Sequence, residues 1–439
     1  MTAAVKNKLI VIGGGLAGSE AAWQAAERGI SVVLYEMRPQ VPTAVHKTDQ
    51  CAELVCSNSL GSNREFNAPF ILKEELRKLN SLIIRAADKH AVPAGAALAV
   101  DRLLFSREIT QSIINHPNIT LKREEVREIP SGPVIIATGP LTSPDLSRDI
   151  SRLIGQSYLY FYDALSPIID AASIDYGKAF FASRYDKGGD DYLNCCMNEP
   201  QYRDFVRELK LAEKVPLHAF EKPIYFEGCM PIEELAMRGD MTLAFGPLKP
   251  VGLVHPKTGE RFFSIVQLRR ENKEGTAYNL VGFQTKLTYP EQKRVIRMIP
   301  GLEKSDFFRY GAIHRNTFIN APMLLSPDLS LKTSPDIYFA GQIIGVEGYL
   351  ESCAMGLLAG LSAADRLQGR SFSPPPLDTA MGTLLGYVTE KRTTGYQPMN
   401  INFGLFPGVN AGKRNKQARN AAITQKAAES ISCWVKSRN

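Results

Sequence analysis

The sequence contains no run of about 18 apolar residues, so no membrane-spanning helix is expected. Its first residues lack a basic segment followed by an apolar core and run straight into a strand pattern, so no signal peptide is expected either. No CxxC pair and no histidine-rich tract occurs, which removes the usual spacings of a zinc site. The seven cysteines are an odd number, scattered from Cys51 to Cys433 in a chain too long to be a small disulfide scaffold. A reduced, cytoplasmic protein is expected, in which any important cysteine is a free thiol. Internal repeats and low-complexity segments are missing as well. Neither sign of charge dominates: 52 Lys and Arg stand against 45 Asp and Glu, a net +7. That mild excess fits an ordinary solvated surface or a polyanionic partner such as RNA.

What remains is a globular composition, 44% hydrophobic and 22% charged. At 439 residues the chain exceeds one compact core and suits two domains. Residues 9–12 form a short apolar run, the signature of a buried strand. They lead into Gly13-Gly14-Gly15-Leu16-Ala17-Gly18, a G-x-G-x-x-G with Gly13, Gly15 and Gly18 at the fixed places. Residues 19–27 read as a helix ended by Gly29, and residues 30–35 as a second strand that ends at Glu36. In such a unit the first glycine permits the tight turn, the second admits a pyrophosphate and the third lets helix and strand pack closely. The helix start holds phosphate charge, and Glu36 stands where a carboxylate accepts hydrogen bonds from an adenosine ribose. An acidic rather than basic residue there argues against a ribose 2′-phosphate.

Two later segments choose FAD over NAD. Residues 134–140 (VIIATGP) are an apolar strand ending in Ala-Thr-Gly that resembles the nucleotide-side strand of two-dinucleotide-type flavoproteins. Residues 337–342 (IYFAGQ) form another strand, ending at Gly341 and Gln342, followed by Gly345, Gly348 and a helix over about 350–367. In flavoproteins of that type this unit sets a helix N-terminus at the flavin, where its positive end favours the anionic reduced ring. Between the two stretches, short β-rich runs (KAFFASRY, FFSIVQL, AYNLVGF) alternate with charged helical segments such as 201–214. The expected fold is therefore α/β, a Rossmann-like FAD-binding domain with an inserted α+β domain. Residues 1–150 and 319–439 belong to the first and 151–318 to the second. Pro374, Pro375 and Pro376 follow the flavin helix as a stiff linker. The tail beyond is helical and basic, with Lys413, Arg414, Lys416, Arg419, Lys426, Lys436 and Arg438. Residues 64–85 read as a single helix; Leu72, Leu76 and Leu79 share a face and are expected in the core.

Five segments carry a more specific resemblance: LYEMRP at 34–39, AELVCSNSLGSN at 52–63, YFEGCMPIE at 225–233, LAFGPLKPVGL at 243–253, and residues 340–360. In this order they resemble the folate- and FAD-dependent tRNA uracil-5-methyltransferases, which make ribothymidine at position 54 of the tRNA T-loop. The resemblance runs from the first strand to the flavin helix. It implies bacterial cytoplasm, FAD, 5,10-methylenetetrahydrofolate as carbon donor, NAD(P)H as reductant and the tRNA T-arm as partner, in a monomer or homodimer. Uracil carbon 5 is a poor nucleophile, and a thiolate adding at carbon 6 makes an enolate able to attack a one-carbon electrophile. Cys229 matches the family's proposed nucleophile, and Cys56 matches its second functional cysteine, expected beside the flavin. Cys51, Cys195, Cys196, Cys353 and Cys433 are expected to be packing residues.

Other candidates rest on less. His314 and Arg315, just before the chain re-enters the flavin domain, stand where side chains can meet folate or flavin, or where a histidine is merely interior. Lys249 suits a phosphate, the folate glutamate or plain solvation. Lys413 and Arg414 suit RNA backbone or a solvated helix face. No second glycine fingerprint for NAD(P)H appears. Two other readings share the glycine motifs: a flavin-dependent modifier of the tRNA wobble uridine, usually with a longer helical C-terminus, and a non-catalytic FAD-containing RNA-binding module.

Overall fold

The apolar run at residues 9–12 lies at the centre of a six-stranded sheet. In the computed structural model, which describes residues 8–43, 45–155, 158–186, 189–216, 225, 230–391, 395–408 and 416–438, strand Lys8–Ile12 pairs in parallel with Ser31–Glu36 on one side and Val134–Ile136 on the other. Ser31–Glu36 pairs onward with Ile119–Arg123, and Val134–Ile136 with Ser334–Phe339, which carries the short antiparallel edge Ser330–Leu331. Strands covered on both faces are apolar throughout, and Leu9, Val11, Val134, Ile135 and Ile136 are fully buried. The chain builds outward from the first strand to Ile119–Arg123, then returns to its other side at Val134–Ile136. That reversal opens a crevice at the carboxyl ends of adjacent strands, the place where open α/β sheets bind nucleotides.

Helix Leu16–Ala26 joins the first two strands, beginning at Leu16 rather than Ser19, and every residue in it is buried. Its outer side is covered by helix Tyr349–Leu367. A Cβ on Gly356 would lie 2.2 Å from the Ala17 carbonyl oxygen, and one on Gly360 2.5 Å from that of Ala21. The two helix backbones touch, which is why small residues occupy this seam.

The single helix read over 64–85 is two helices, Ala68–Lys78 and Leu82–Lys89. Asn80 adopts a left-handed conformation (φ +53°) and Ser81 caps the second helix by accepting from the Ile84 N–H. Asn and Ser supply local hydrogen bonds that compete with a continuing helix, so the apolar period survives while the backbone breaks. Leu72, Leu76, Leu79 and Leu82 are buried on both sides of the break, and Phe66 precedes it outside either helix.

A second core gathers around an antiparallel sheet in the order Ala179–Phe181, Tyr192–Met197, Ser264–Arg270, Ala277–Leu280, Ile168–Asp170 and Phe307–Arg309. The ribbon Leu159–Ala164 with Ile313–Phe318 leads into and out of this unit, and its pairs include Asp163 with His314 and Tyr162 with Arg315. The C-terminal helix Lys416–Arg438 packs Ile423, Ala427, Ile431 and Trp434 inward. Lys78 donates to its Ala428 carbonyl at 3.0 Å. Arg438, one of the basic residues of the tail, is instead an internal ion-pair partner of Asp365 at 2.5 Å. No helix of the described residues is long and apolar enough to cross a membrane.

Helix Ala380–Thr389 is fixed by a carboxylate distant in sequence: the two oxygens of buried Glu75 accept the Ala380 and Met381 N–H groups at 2.6 and 2.8 Å. Burial pushes this carboxyl up from 4.5 to about 8, the two N–H groups pulling the other way. A group raised in the folded state adds stability that is complete below its unfolded value and is lost as pH rises through the folded one. The stability that Glu75 contributes should therefore decline as pH climbs from about 4.5 to about 8, by about 1.4 kcal/mol for each pH unit crossed. Glu75→Gln should give a shallower fall over that window in a thermal-melt series. A slope equal to wild type would show that Glu75 does not titrate there.

Candidate active site

A cleft of about 600 Å³ opens at the carboxyl ends of the central strands. Gly13, Gly15, Leu16 and Ala17 line its floor. Gly13 has φ +103°, and a Cβ there would lie 2.6 Å from the Ala137 carbonyl oxygen; a Cβ on Gly18 would lie 1.8 Å from that of Gly13. These two glycines shape the turn. Gly14 turns its N–H to Glu36 Oε2 at 2.9 Å. Gly15 differs from all three, with ordinary backbone angles (φ −72°, ψ −169°) and nothing within 4 Å of a Cβ built on it. It is also the N-cap of helix Leu16–Ala26, with no side chain capping the first N–H groups. Open space beside uncapped donors at a helix N-terminus is a cradle for an anion.

Glu36 ends the second strand, and its Oε1 accepts from the Arg38 backbone at 3.0 Å and from Arg38 Nε at 2.9 Å. Arg38 pairs in turn with Glu53 at 3.1 Å. Burial opposes the charge of Glu36, but the hydrogen bonds and charge of Arg38 outweigh it and hold the carboxyl below its usual range. A carboxylate offers about four lone-pair sites, and three donors are present here, so Glu36 keeps capacity for a ribose hydroxyl. His46 and Thr43 line the same end, 2.7 Å apart at Nδ1 and Oγ1. Burial and then the charge of Arg38 push His46 down to about 4, which keeps it neutral at pH 7.

The far end is built from the second strand–helix unit. Gly341 (φ +81°) closes on Ala17, and Gly348 (φ +119°) is the N-cap of helix Tyr349–Leu367, again with no side-chain cap. A second helix N-terminus thus faces the cleft. Gln342 donates to Glu347 Oε2 at 2.7 Å. Burial, reinforced by nearby Asp163, holds the Glu347 carboxyl well above its ordinary range. Cys56 stands between the two ends: its backbone N–H donates to Tyr349 Oη at 2.8 Å, and its carbonyl accepts from Arg309 at 2.8 Å. The facing wall comes from the second core, through Arg269, Asn279, Val281, Gly282 and Gln284.

The structure thus brings Gly13, Gly15, Leu16, Ala17, Glu36, Cys56, Gly341 and Gln342 into one cleft, with Gly14 and Gly18 shaping its floor. Cys229, Lys413 and Arg414 lie outside the described residues, as does the side chain of Arg315. His314 is half-buried and not a lining residue; its Nε2 is buried without a hydrogen-bond partner, and burial followed by the charge of Arg309 pushes it down to about 4. Lys249 is exposed and apart from the cleft. Cys51 is buried beneath the glycine loop, where burial pushes its thiol up to about 11, and Cys353 is buried beside Glu20 and Ser81. Sequence reading missed Arg38, His46, Glu53, Arg269, Glu347 and Tyr349. Arg38 and Glu53 lie inside the quoted segments LYEMRP and AELVCSNSLGSN, where a charge two residues past Glu36 was the available signal.

The chain matches a family model described as glucose inhibited division protein A over residues 8–371. It is 58% identical over 422 residues to the methylenetetrahydrofolate–tRNA-(uracil-5-)-methyltransferase TrmFO of Heliobacterium modesticaldum, covering 96% of each chain. To the protein of that name from Natranaerobius thermophilus it is 57% identical over 420 residues, covering 94% of this chain and 97% of the relative. Among solved structures, GidA of Aquifex aeolicus in its form II crystal superposes with a TM-score of 0.69 at 18% identity, over 100% of this chain and 76% of its own. That likeness is one of fold.

Proposed function

The chain belongs to the glucose inhibited division protein A family, within its methylenetetrahydrofolate–tRNA-(uracil-5-)-methyltransferases, and we propose that its cleft performs the reaction in that name on the T-loop uridine at position 54. It is an FAD-dependent enzyme that moves a one-carbon unit from 5,10-methylenetetrahydrofolate to carbon 5 of uracil, with NAD(P)H as reductant. The observation that carries this reading is the shared cleft: a dinucleotide cradle forms one side, the second core forms the other, and Cys56 lies between them.

The residues present fit FAD. Glu36 receives the adenosine ribose, the N–H groups above Gly15 receive the pyrophosphate, and the helix N-terminus at Gly348 faces the ring. When bound, the flavin supplies one-carbon transfer and the hydride that completes the methyl group. Glu36 fixes the nucleotide end, and its pairing with Arg38 keeps it ionised for that task. Glu347, whose carboxyl burial holds above its ordinary range, accepts from Gln342 at the ring end. Cys56 occupies the cleft beside Tyr349, and Cys229 acts as the thiolate that adds to carbon 6 of uracil. We take residues 1–150 and 319–439 as the flavin domain and 151–318 as the unit that brings substrate to it, in the bacterial cytoplasm and in a monomer or homodimer. The test is incubation of the purified holoenzyme with unmodified tRNA, methylenetetrahydrofolate and NADH or NADPH, followed by nucleoside analysis. Ribothymidine that depends on the folate is expected. Its complete absence would refute the reading.

A further inference from the structure

The segment that carries Cys56 belongs to the flavin-side core, yet side chains of the second core hold it. Arg309 ends strand Phe307–Arg309 of the antiparallel sheet. Its guanidinium forks two successive carbonyls, Val55 through Nη1 at 2.9 Å and Cys56 through Nη2 at 2.8 Å. Arg102 also reaches the carbonyls of Leu54 and Cys56 and is held by Glu271 at 2.8 Å. The fully buried Asn58 accepts from Arg269 at 2.9 Å and donates to the Arg270 carbonyl at 2.9 Å. Tyr349 takes the Cys56 N–H. Both peptide groups of Cys56 are thereby fixed, the N–H by Tyr349 and the carbonyl by Arg309 and Arg102, while Arg269 and Arg270 of the second sheet hold Asn58 two residues on.

Arg102 has Glu271 as counter-ion, whereas Arg309 hydrogen-bonds only to carbonyls among its described contacts, and its Nε is buried without a partner. Burial and the neighbouring charge of Arg102 both work against its cationic form. A buried guanidinium is a costly way to fill space, but it offers a rigid planar fork that lysine does not. We propose that Arg309 is a positioning residue for Cys56: from the second sheet it fixes the Val55–Cys56 backbone and so sets where the thiol stands in the cleft. The inserted unit then does more than bring substrate to the flavin domain; it holds that domain's own cysteine in register. A thiol displaced by about 1 Å loses on the order of tenfold to a hundredfold in rate.

The inference rests on the proposed function for its effect on turnover, but not for its effect on the thiol. The experiment compares the wild-type holoenzyme with Arg309→Lys and Arg309→Met. It measures FAD per chain, kcat and KM for methylenetetrahydrofolate, and the iodoacetamide alkylation rate of Cys56 by peptide mass spectrometry. Both variants should keep FAD at the wild-type ratio and KM within about twofold, and lose about tenfold or more in kcat, with an alkylation rate changed by about threefold or more. Lysine should not rescue, because its single ammonium on a shorter side chain does not reproduce the planar fork whose separate Nη atoms reach Val55 and Cys56. An Arg309→Lys enzyme with wild-type kcat and wild-type alkylation overturns the proposal. So does loss of FAD in both variants, which would make the contact a support of the fold alone. Alkylation needs neither tRNA nor folate, so a wild-type protein that makes no ribothymidine would defeat the functional reading while the clamp is still decided.

Discussion

Gly15→Val should yield a protein that folds normally and stays colourless. The backbone at Gly15 has φ −72° and ψ −169°, which any residue adopts. A Cβ built there has no described atom beyond its chain neighbours within 4 Å. The space it fills is the cradle between the uncapped start of helix Leu16–Ala26 and the cleft, where the pyrophosphate of FAD must approach the backbone. The substitution therefore acts on the ligand and not on the fold. An affinity loss of about a hundredfold or more is expected, equivalent to about 2.7 kcal/mol. The apo variant should melt close to apo wild type, and added FAD should raise the melting temperature of wild type alone, because a ligand stabilises only the state it binds. Gly18→Ala makes the opposite control: its Cβ would lie 1.8 Å from the Gly13 carbonyl oxygen, so the turn must move and the apo protein itself should be destabilised. Flavin absorbance per chain, circular dichroism and thermal melts separate the two outcomes. A yellow Gly15→Val protein with stoichiometric FAD would place the pyrophosphate elsewhere.

The parts of the fold that were legible in the sequence are those governed by local rules. The strand, glycine turn, helix, strand and terminal acid of residues 9–36 each follow from period, turn chemistry and position; the structure starts the helix three residues earlier, at Leu16, and shifts other bounds by one residue. The apolar spacing of Leu72, Leu76 and Leu79 identified core positions correctly, but it does not report the backbone break at Asn80 and Ser81, because both helices keep the same buried face. The site was legible only in halves. Gly15, Glu36 and Gly341 announce themselves through motifs, whereas Arg309 and Val55 are 254 residues apart and nothing in local spacing joins them. Tyr349 and Glu347 looked like ordinary residues around a glycine turn; burial against Cys56 and Asp163 gives them their chemistry. His314 and Lys249 were chosen for type and neighbourhood, and the fold sets both off the cleft lining.

Transfer-RNA carrying 5-fluorouridine at the target position should form a covalent adduct with the wild-type enzyme at Cys229, and Cys229→Ala should form none. A thiolate adds to carbon 6 of uracil, its electron pair making the new S–C bond while the carbon 5–carbon 6 π electrons move into an enolate. Carbon 5 of that enolate then takes the one-carbon unit. Release of the enzyme requires loss of the proton on carbon 5, after which the S–C bond breaks and the thiolate departs. Fluorine at carbon 5 leaves no proton to remove, so the sulfur stays bound. The thiol that does this must reach a base extruded from its stack, at an unstacking cost of a few kcal/mol. Cys56 is poorly suited to that reach: its peptide is pinned by Tyr349 and Arg309 inside the dinucleotide cleft, between the glycine loop and Gly348. Cys56→Ala should accordingly lose methylation with an altered flavin absorbance spectrum, the mark of a disturbed flavin site. Mass spectrometry of the trapped complexes assigns the bonded sulfur directly. An adduct mapped to Cys56, or one joining the RNA to flavin with no enzyme sulfur in it, would reverse the assignment of the two cysteines.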